Sequence, residues 1–178
     1  GKSPFVVLGD ADVELAAPSA AWAIFGNHGQ NCCAGSRLYV HRSHYKAIID
    51  AVVKIAGEIT LGPGLDPSSQ MGPLVSRQQQ QNVLRYIDLG KRAGAAIVAG
   101  RPAPEGPGSY VNPTVLTGVP QDAEVVQEEI FGPVLVATPF DSDEEALRLA
   151  NNSQFGLGAS IWSRNIDSVE KSVRGVRA

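Results

Sequence analysis

Apolar positions alternate between short continuous runs and helix-spaced stripes along most of the chain. Phe5 to Leu8 is a compact apolar run rich in β-branched and aromatic residues and closed by Gly9-Asp10, which predicts a buried strand. Asp12 can cap a helix running toward Phe25, with Pro18 expected to kink it or mark a restart. Arg37 to Val40 reads as a second strand. Ser43 reads as the cap of a helix reaching about Ile59, with Tyr45, Ile48, Ile49, Val52, Val53 and Ile55 on or near its apolar face.

Leu61 to Pro73 carries three glycines and three prolines and is expected to be a surface connection. Ser76-Arg77-Gln78-Gln79 matches a capping box, followed by a stripe of Val83, Leu84 and Ile87 toward Gly90. Ala96 to Ala99 reads as a strand and Gly100 to Ser109 as a second Gly/Pro loop. Thr114 to Leu116 and Val134 to Thr138 read as strands on either side of an acidic segment, Gln121 to Pro133. Ser142-Asp143-Glu144-Glu145 opens a helix toward Ala150, before a strand at Ala159 to Trp162 and a last helix from about Ile166 to Val173. Strands alternating with helices of these lengths predict an α/β fold with a mainly parallel open sheet flanked by helices.

Composition changes this picture little. The 178 residues suit one domain, and 43% hydrophobic with 19% charged residues describes an ordinary globular protein. A net charge of -3 with dispersed basic residues gives no footprint for nucleic acid or an anionic membrane, and no apolar stretch is long enough to span a bilayer. A small-molecule partner is the expectation. The two cysteines are adjacent and cannot staple distant segments, and there is no secretory signal, which predicts a reducing, cytoplasmic setting. The chain opens on Gly1 without a methionine, so it reads as a piece of something longer.

The chemistry concentrates in Gly29-Gln30-Asn31-Cys32-Cys33-Ala34-Gly35-Ser36-Arg37. A thiol attacks as its thiolate and needs room for a carbonyl, which flanking glycines provide while exposing backbone N–H groups. Cysteines in pairs are often apolar filler, and Cys33 is expected to pack in that way. His28, His41 and His44 invite comparison with a Cys-His hydrolase, but sequence proximity does not make a dyad, and loop or surface packing is expected for all three. No cysteine or histidine spacing suggests a metal site.

Four motifs in order resemble the catalytic domain of the NAD(P)-dependent aldehyde dehydrogenase superfamily over nearly the whole chain. They are Gly1-Lys2-Ser3-Pro4, Gly29-Gln30-Asn31-Cys32, Glu128-Glu129-Ile130-Phe131-Gly132-Pro133, and Ala150-Asn151-Asn152 with Phe155 in place of a tyrosine before Gly156-Leu157. The resemblance implies that Cys32, two places after the glutamine, attacks the aldehyde to give a thiohemiacetal, then a thioester that is hydrolysed to the acid. It implies that Glu129 hydrogen-bonds a ribose of NAD or NADP, that Phe131 lies beside the nicotinamide ribose, and that Gln79 approaches the cofactor. Gln79 also has a competing role as the N3 residue of its capping box, which the residues themselves favour, and Glu128 is expected to be structural.

The same resemblance implies that the general-base glutamate, the asparagine of the oxyanion hole and the dinucleotide-binding domain lie upstream of Gly1, and an oligomerisation strand beyond Ala178. The 178 residues alone are therefore expected to be inactive, within a full-length homodimer or homotetramer. Relatives that pass the thioester to coenzyme A, and non-catalytic scaffold relatives, define the alternatives; the intact Cys32 argues against the second. Asn31, Cys32, Cys33, Phe25 and His28 line the substrate approach in the family, and the resemblance extends to bacterial members that act on arylacetaldehydes.

Overall fold

A computed structural model describes residues 1–102, 104 and 106–178; Ala103 and Glu105, within the expected Gly100–Ser109 loop, lie outside the described residues. The chain runs β1 (Pro4–Val7), α1 (Val13–Phe25), β2 (Arg37–His41), α2 (Arg42–Glu58), α3 (Arg77–Arg92), β3 (Ala96–Ala99), β4 (Thr114–Thr117), α4 (Glu124–Gln127), β5 (Val134–Phe140), α5 (Asp143–Ala150), β6 (Ser160–Trp162) and α6 (Ile166–Gly175). Six strands form one sheet in the order β3-β4-β5-β2-β1-β6. All neighbours are parallel except β3, which runs antiparallel to β4. That exception follows from the Gly/Pro-rich connection after β3, which has no helix-spaced stripe to carry a crossover back.

The two-residue period of the strands divides the core between the two faces of the sheet. Phe5, Val7, Leu38, Val40, Leu135 and Ala137 point to the face covered by α1 and α2. Val134 and Val136 meet α3 and α4 on the opposite face, while Val6, Leu8, Tyr39 and Phe140 meet α5 there. The expected α/β architecture is therefore present as three layers.

Several local expectations change. Pro18 does not break α1, because it and Glu14, whose carbonyl loses a partner, both lie on the solvent side of the helix. Asp12 does cap it, accepting from the backbone of Glu14 and Leu15. The cap of α2 is His41 and not Ser43: its Nδ1 accepts the Ser43 N–H at 3.3 Å. The Leu61–Pro73 segment is more than a surface connection, since Leu61 bridges Met71 and Met71 is buried in the α1/α2 core. The short helix α4 sits inside the acidic segment, where its four residues are too few to show a periodicity.

Candidate active site

In a parallel sheet, residues that precede each strand gather at one end. Gly1 lies just before β1, the cysteine loop leads into β2, and Glu129–Phe131 lead into β5. These three segments meet at the N-terminal end of the sheet, where Gly1, Gly29, Asn31, Ser36, Glu129 and Phe131 are among the residues lining a narrow cleft.

The cysteine loop follows a left-handed turn in which Asn27, His28 and Gly29 all have positive φ. Gly35 N–H ties the far side of the loop to Ala23 O of α1 at 3.0 Å. Between these anchors, Asn31 organises the thiols: its Oδ1 accepts from Cys33 N–H at 3.4 Å and from the Cys33 thiol at 3.3 Å, with the Cys32 thiol at 3.8 Å. Both cysteines are exposed, so Cys33 is not the packing residue the sequence suggests. The backbone N–H of Cys32 has no acceptor among the described residues, whereas those of Cys33 and Ala34 are both taken by Asn31. A donor adjacent to the thiol is thus left uncommitted.

The opposing loop is held from α3. Ser76 Oγ caps that helix by accepting the Gln79 N–H at 3.1 Å, as the sequence predicts. The reciprocal half of the capping box is absent. Instead, Gln79 Nε2 donates to Ile130 O and Phe131 O, both at 2.9 Å. Phe131 has a φ of +56° and is 38% exposed. The Glu129 side chain is 36% exposed, and its Oε1 contacts the Gly1 nitrogen. A carboxylate and an aromatic ring so placed can meet a diol and a flat ring from solvent.

The thiol and clamp loops are also joined directly. Gly29 packs against the Gly132 backbone, and Gly132 in turn leaves no room beneath Val83 of α3. Gln30 Oε1 accepts the Val75 N–H at 3.0 Å, fastening the cysteine loop to the segment that starts α3. Gly1 lies so close to the Cys32 carbonyl oxygen that a methyl there would stand 2.5 Å from it. Cys32, Glu129 and Phe131 are therefore drawn to one end of the sheet, and Gln79 stands behind them as a support.

Other expected participants fall elsewhere. Phe25 is 1% exposed within the core. His28 Nε2 accepts the Gly72 N–H at 2.8 Å, His41 caps α2, and His44 lies 2.8 Å from Gly9 O; none of the three bonds to a cysteine. Among the described residues, no group of three or more His, Cys, Asp or Glu side chains could hold a metal ion, and no helix is long and apolar enough to cross a membrane.

Two buried cations support the site, and composition gave no sign of either. Arg37 is 2% exposed, and its guanidinium donates to Lys2 O at 2.7 Å, Ala150 O at 2.9 Å and Leu149 O at 3.2 Å. Lys2 is 1% exposed and donates to Val125 O at 3.0 Å. Burial, and secondarily the Arg37 charge, push the Lys2 ammonium down to about 7, against a smaller opposing pull from Glu128. The Ser36 hydroxyl is also buried without a partner among the described residues, at the wall of the cleft.

Comparison with known proteins bears on this geometry. Residues 1–178 match the protein-family model described as "Aldehyde dehydrogenase family". The chain is 46% identical over 170 residues to a phenylacetaldehyde dehydrogenase of Pseudomonas fluorescens, covering 94% of this chain and 34% of that protein. It is 38% identical over 181 residues to a betaine aldehyde dehydrogenase of Bacillus subtilis, covering 99% of this chain and 37% of that one. An aldehyde dehydrogenase from Bacillus cereus, solved as an NAD+ complex, superposes with a TM-score of 0.98 at 49% identity, over 100% of this chain and 36% of its own. The chain thus spans about a third of the length of these relatives.

Proposed function

Because the chain belongs to the aldehyde dehydrogenase family, we propose that it supplies the thiol half of an NAD(P)-dependent oxidation of an aldehyde to a carboxylic acid, with Cys32 as nucleophile. The observation that carries this reading is the exposed Cys32 with its uncommitted backbone N–H, opposite the half-exposed Glu129 and Phe131.

The Cys32 thiolate adds to the aldehyde carbon, forming a C–S bond while the carbonyl π electrons move to oxygen. The Cys32 N–H donates to that developing oxyanion, in the position where a fixed dipole stabilises charge without reorganising. When bound, NAD or NADP accepts the hydride that leaves the same carbon, which restores the C=O bond as a thioester on Cys32. Water then adds, the C–S bond breaks, and the acid leaves with the thiol returned. Glu129 accepts hydrogen bonds from a cofactor ribose, and Phe131 flanks it. The thiol and clamp loops fit that task because they are tied to each other and to α3, which fixes their spacing.

Identity to the phenylacetaldehyde enzyme favours an arylacetaldehyde as substrate. The whole protein is proposed to be a cytoplasmic homodimer or homotetramer. The nucleophile is tested by alkylating the protein at its natural length with iodoacetamide and mapping the adduct by mass spectrometry. Cys32 is expected to react first, with Cys32→Ala abolishing aldehyde-dependent NAD reduction and Cys33→Ala retaining it. First modification at Cys33 together with full activity of Cys32→Ala would overturn the assignment.

A further inference from the structure

We propose that Gln79 is a positioning residue that holds the cofactor clamp through its amide nitrogen; the inference rests on the functional reading above. Both hydrogens of its amide nitrogen have backbone acceptors, Ile130 O and Phe131 O at 2.9 Å each. Those carbonyls bracket a residue that needs the help. Phe131 holds a φ of +56°, which a bulky L-residue adopts only when its surroundings impose it, and the residue is too exposed for packing alone to do so.

The other end of Gln79 is fixed as well. Its main chain lies in the first turn of α3, held by Ser76 Oγ, and Val83 one turn later presses on Gly132. Gln30 of the cysteine loop bonds Val75 immediately before that cap. A connected path of short contacts therefore runs from the thiol loop through the start of α3 to Phe131, and Gln79 is its last link. Losing that link leaves Cys32 in place but releases the clamp.

Two substitutions separate positioning from ligation. Gln79→Glu keeps an acceptor and removes the donor, whereas Gln79→Lys keeps a donor and removes the acceptor. In the protein at its natural length, Gln79→Glu is expected to raise KM for NAD and the dissociation constant of NADH, read by fluorescence, by ~10-fold. Cys32 alkylation by iodoacetamide should stay within ~2-fold of the unmodified protein, and kcat should change less than KM. Gln79→Lys should recover most of the affinity. The reverse ranking, with Glu tolerated and Lys not, would make Gln79 a direct ligand and overturn the inference, as would unchanged affinity in both variants. If Gln79→Glu does not fold, Gln79→Met against Gln79→Lys carries the same contrast. A parent protein that binds NADH without aldehyde-dependent turnover would overturn the proposed function while the affinity series still decides Gln79; one that binds no NADH would overturn both.

Discussion

Gly29 and Gly132 meet backbone to backbone: a methyl group built on Gly29 would stand 2.0 Å from the Gly132 carbonyl oxygen, and Gly29 also has a φ of +68°. Neither the conformation nor the approach tolerates a side chain. This contact joins the loop that bears the thiols to the loop that bears Glu129 and Phe131.

Gly29→Ala should therefore separate the two loops. The left-handed backbone alone disfavours alanine by about 1 kcal/mol, and the clash with a main-chain atom adds to it. We expect an overall destabilisation of about 2 kcal/mol or more in urea unfolding. Loss of NADH affinity should exceed any loss of Cys32 alkylation, since the thiol loop keeps its ties to Ala23 and Val75. Wild-type stability and affinity would contradict the close packing.

Lys2 predicts a pH dependence of stability. Its folded value is about 7 against an ordinary 10.5, so between these pH values the unfolded chain binds a proton that the folded chain does not. Stability from this group rises with pH across that window, by up to ~1.4 kcal/mol per pH unit, and its penalty is complete below pH 7. Denaturant unfolding between pH 7 and 10 should show a slope in the parent protein that Lys2→Met reduces by about one proton. Equal slopes would mean that Lys2 is not titrating as a buried amine.

Arg37→Lys should be strongly destabilising, although it preserves charge. A single ammonium cannot span the carbonyls of Lys2, Leu149 and Ala150, and a buried acceptor left unpaired costs about 1–3 kcal/mol. Arg37→Met should in addition raise the titration point of Lys2 by removing the neighbouring charge that lowers it. NMR titration of the Lys2 side chain measures that second effect.

The 178 residues by themselves should not sustain NAD reduction, because they span about a third of the relatives they match. Cys32 should nevertheless remain open to alkylation, since it is exposed at the sheet end. Steady-state turnover by the isolated chain would contradict this expectation.

How much of this was readable in advance depends on the sequence distance of each partner. Asp12, Ser76 and Ser142 were legible as caps because each side chain bonds a backbone N–H two or three residues away. The Gln79 side chain was misread for the complementary reason: local spacing suggested a box, but its acceptors lie 51 and 52 residues on. Nothing local in the sequence marks Lys2 and Arg37 as buried, because carbonyl partners such as Val125 and Ala150 stand 123 and 113 residues away. The motif around Cys32 gave the loop its place in sequence, but the exposure of Cys33 depends on how Asn31 turns the chain, which no residue count reveals.

All three site segments enter at the starts of β1, β2 and β5, so the opposite rim, where Gly9–Asp12, Asp141–Ser142 and Ser163–Asn165 turn, carries none of the proposed chemistry. The N-termini of α1, α5 and α6 open on that rim, and their positive dipole ends cannot assist a thiolate or an oxyanion at the far end. The idle rim is correspondingly the place to attach a tether, a fluorophore or a solid support while leaving Cys32 undisturbed.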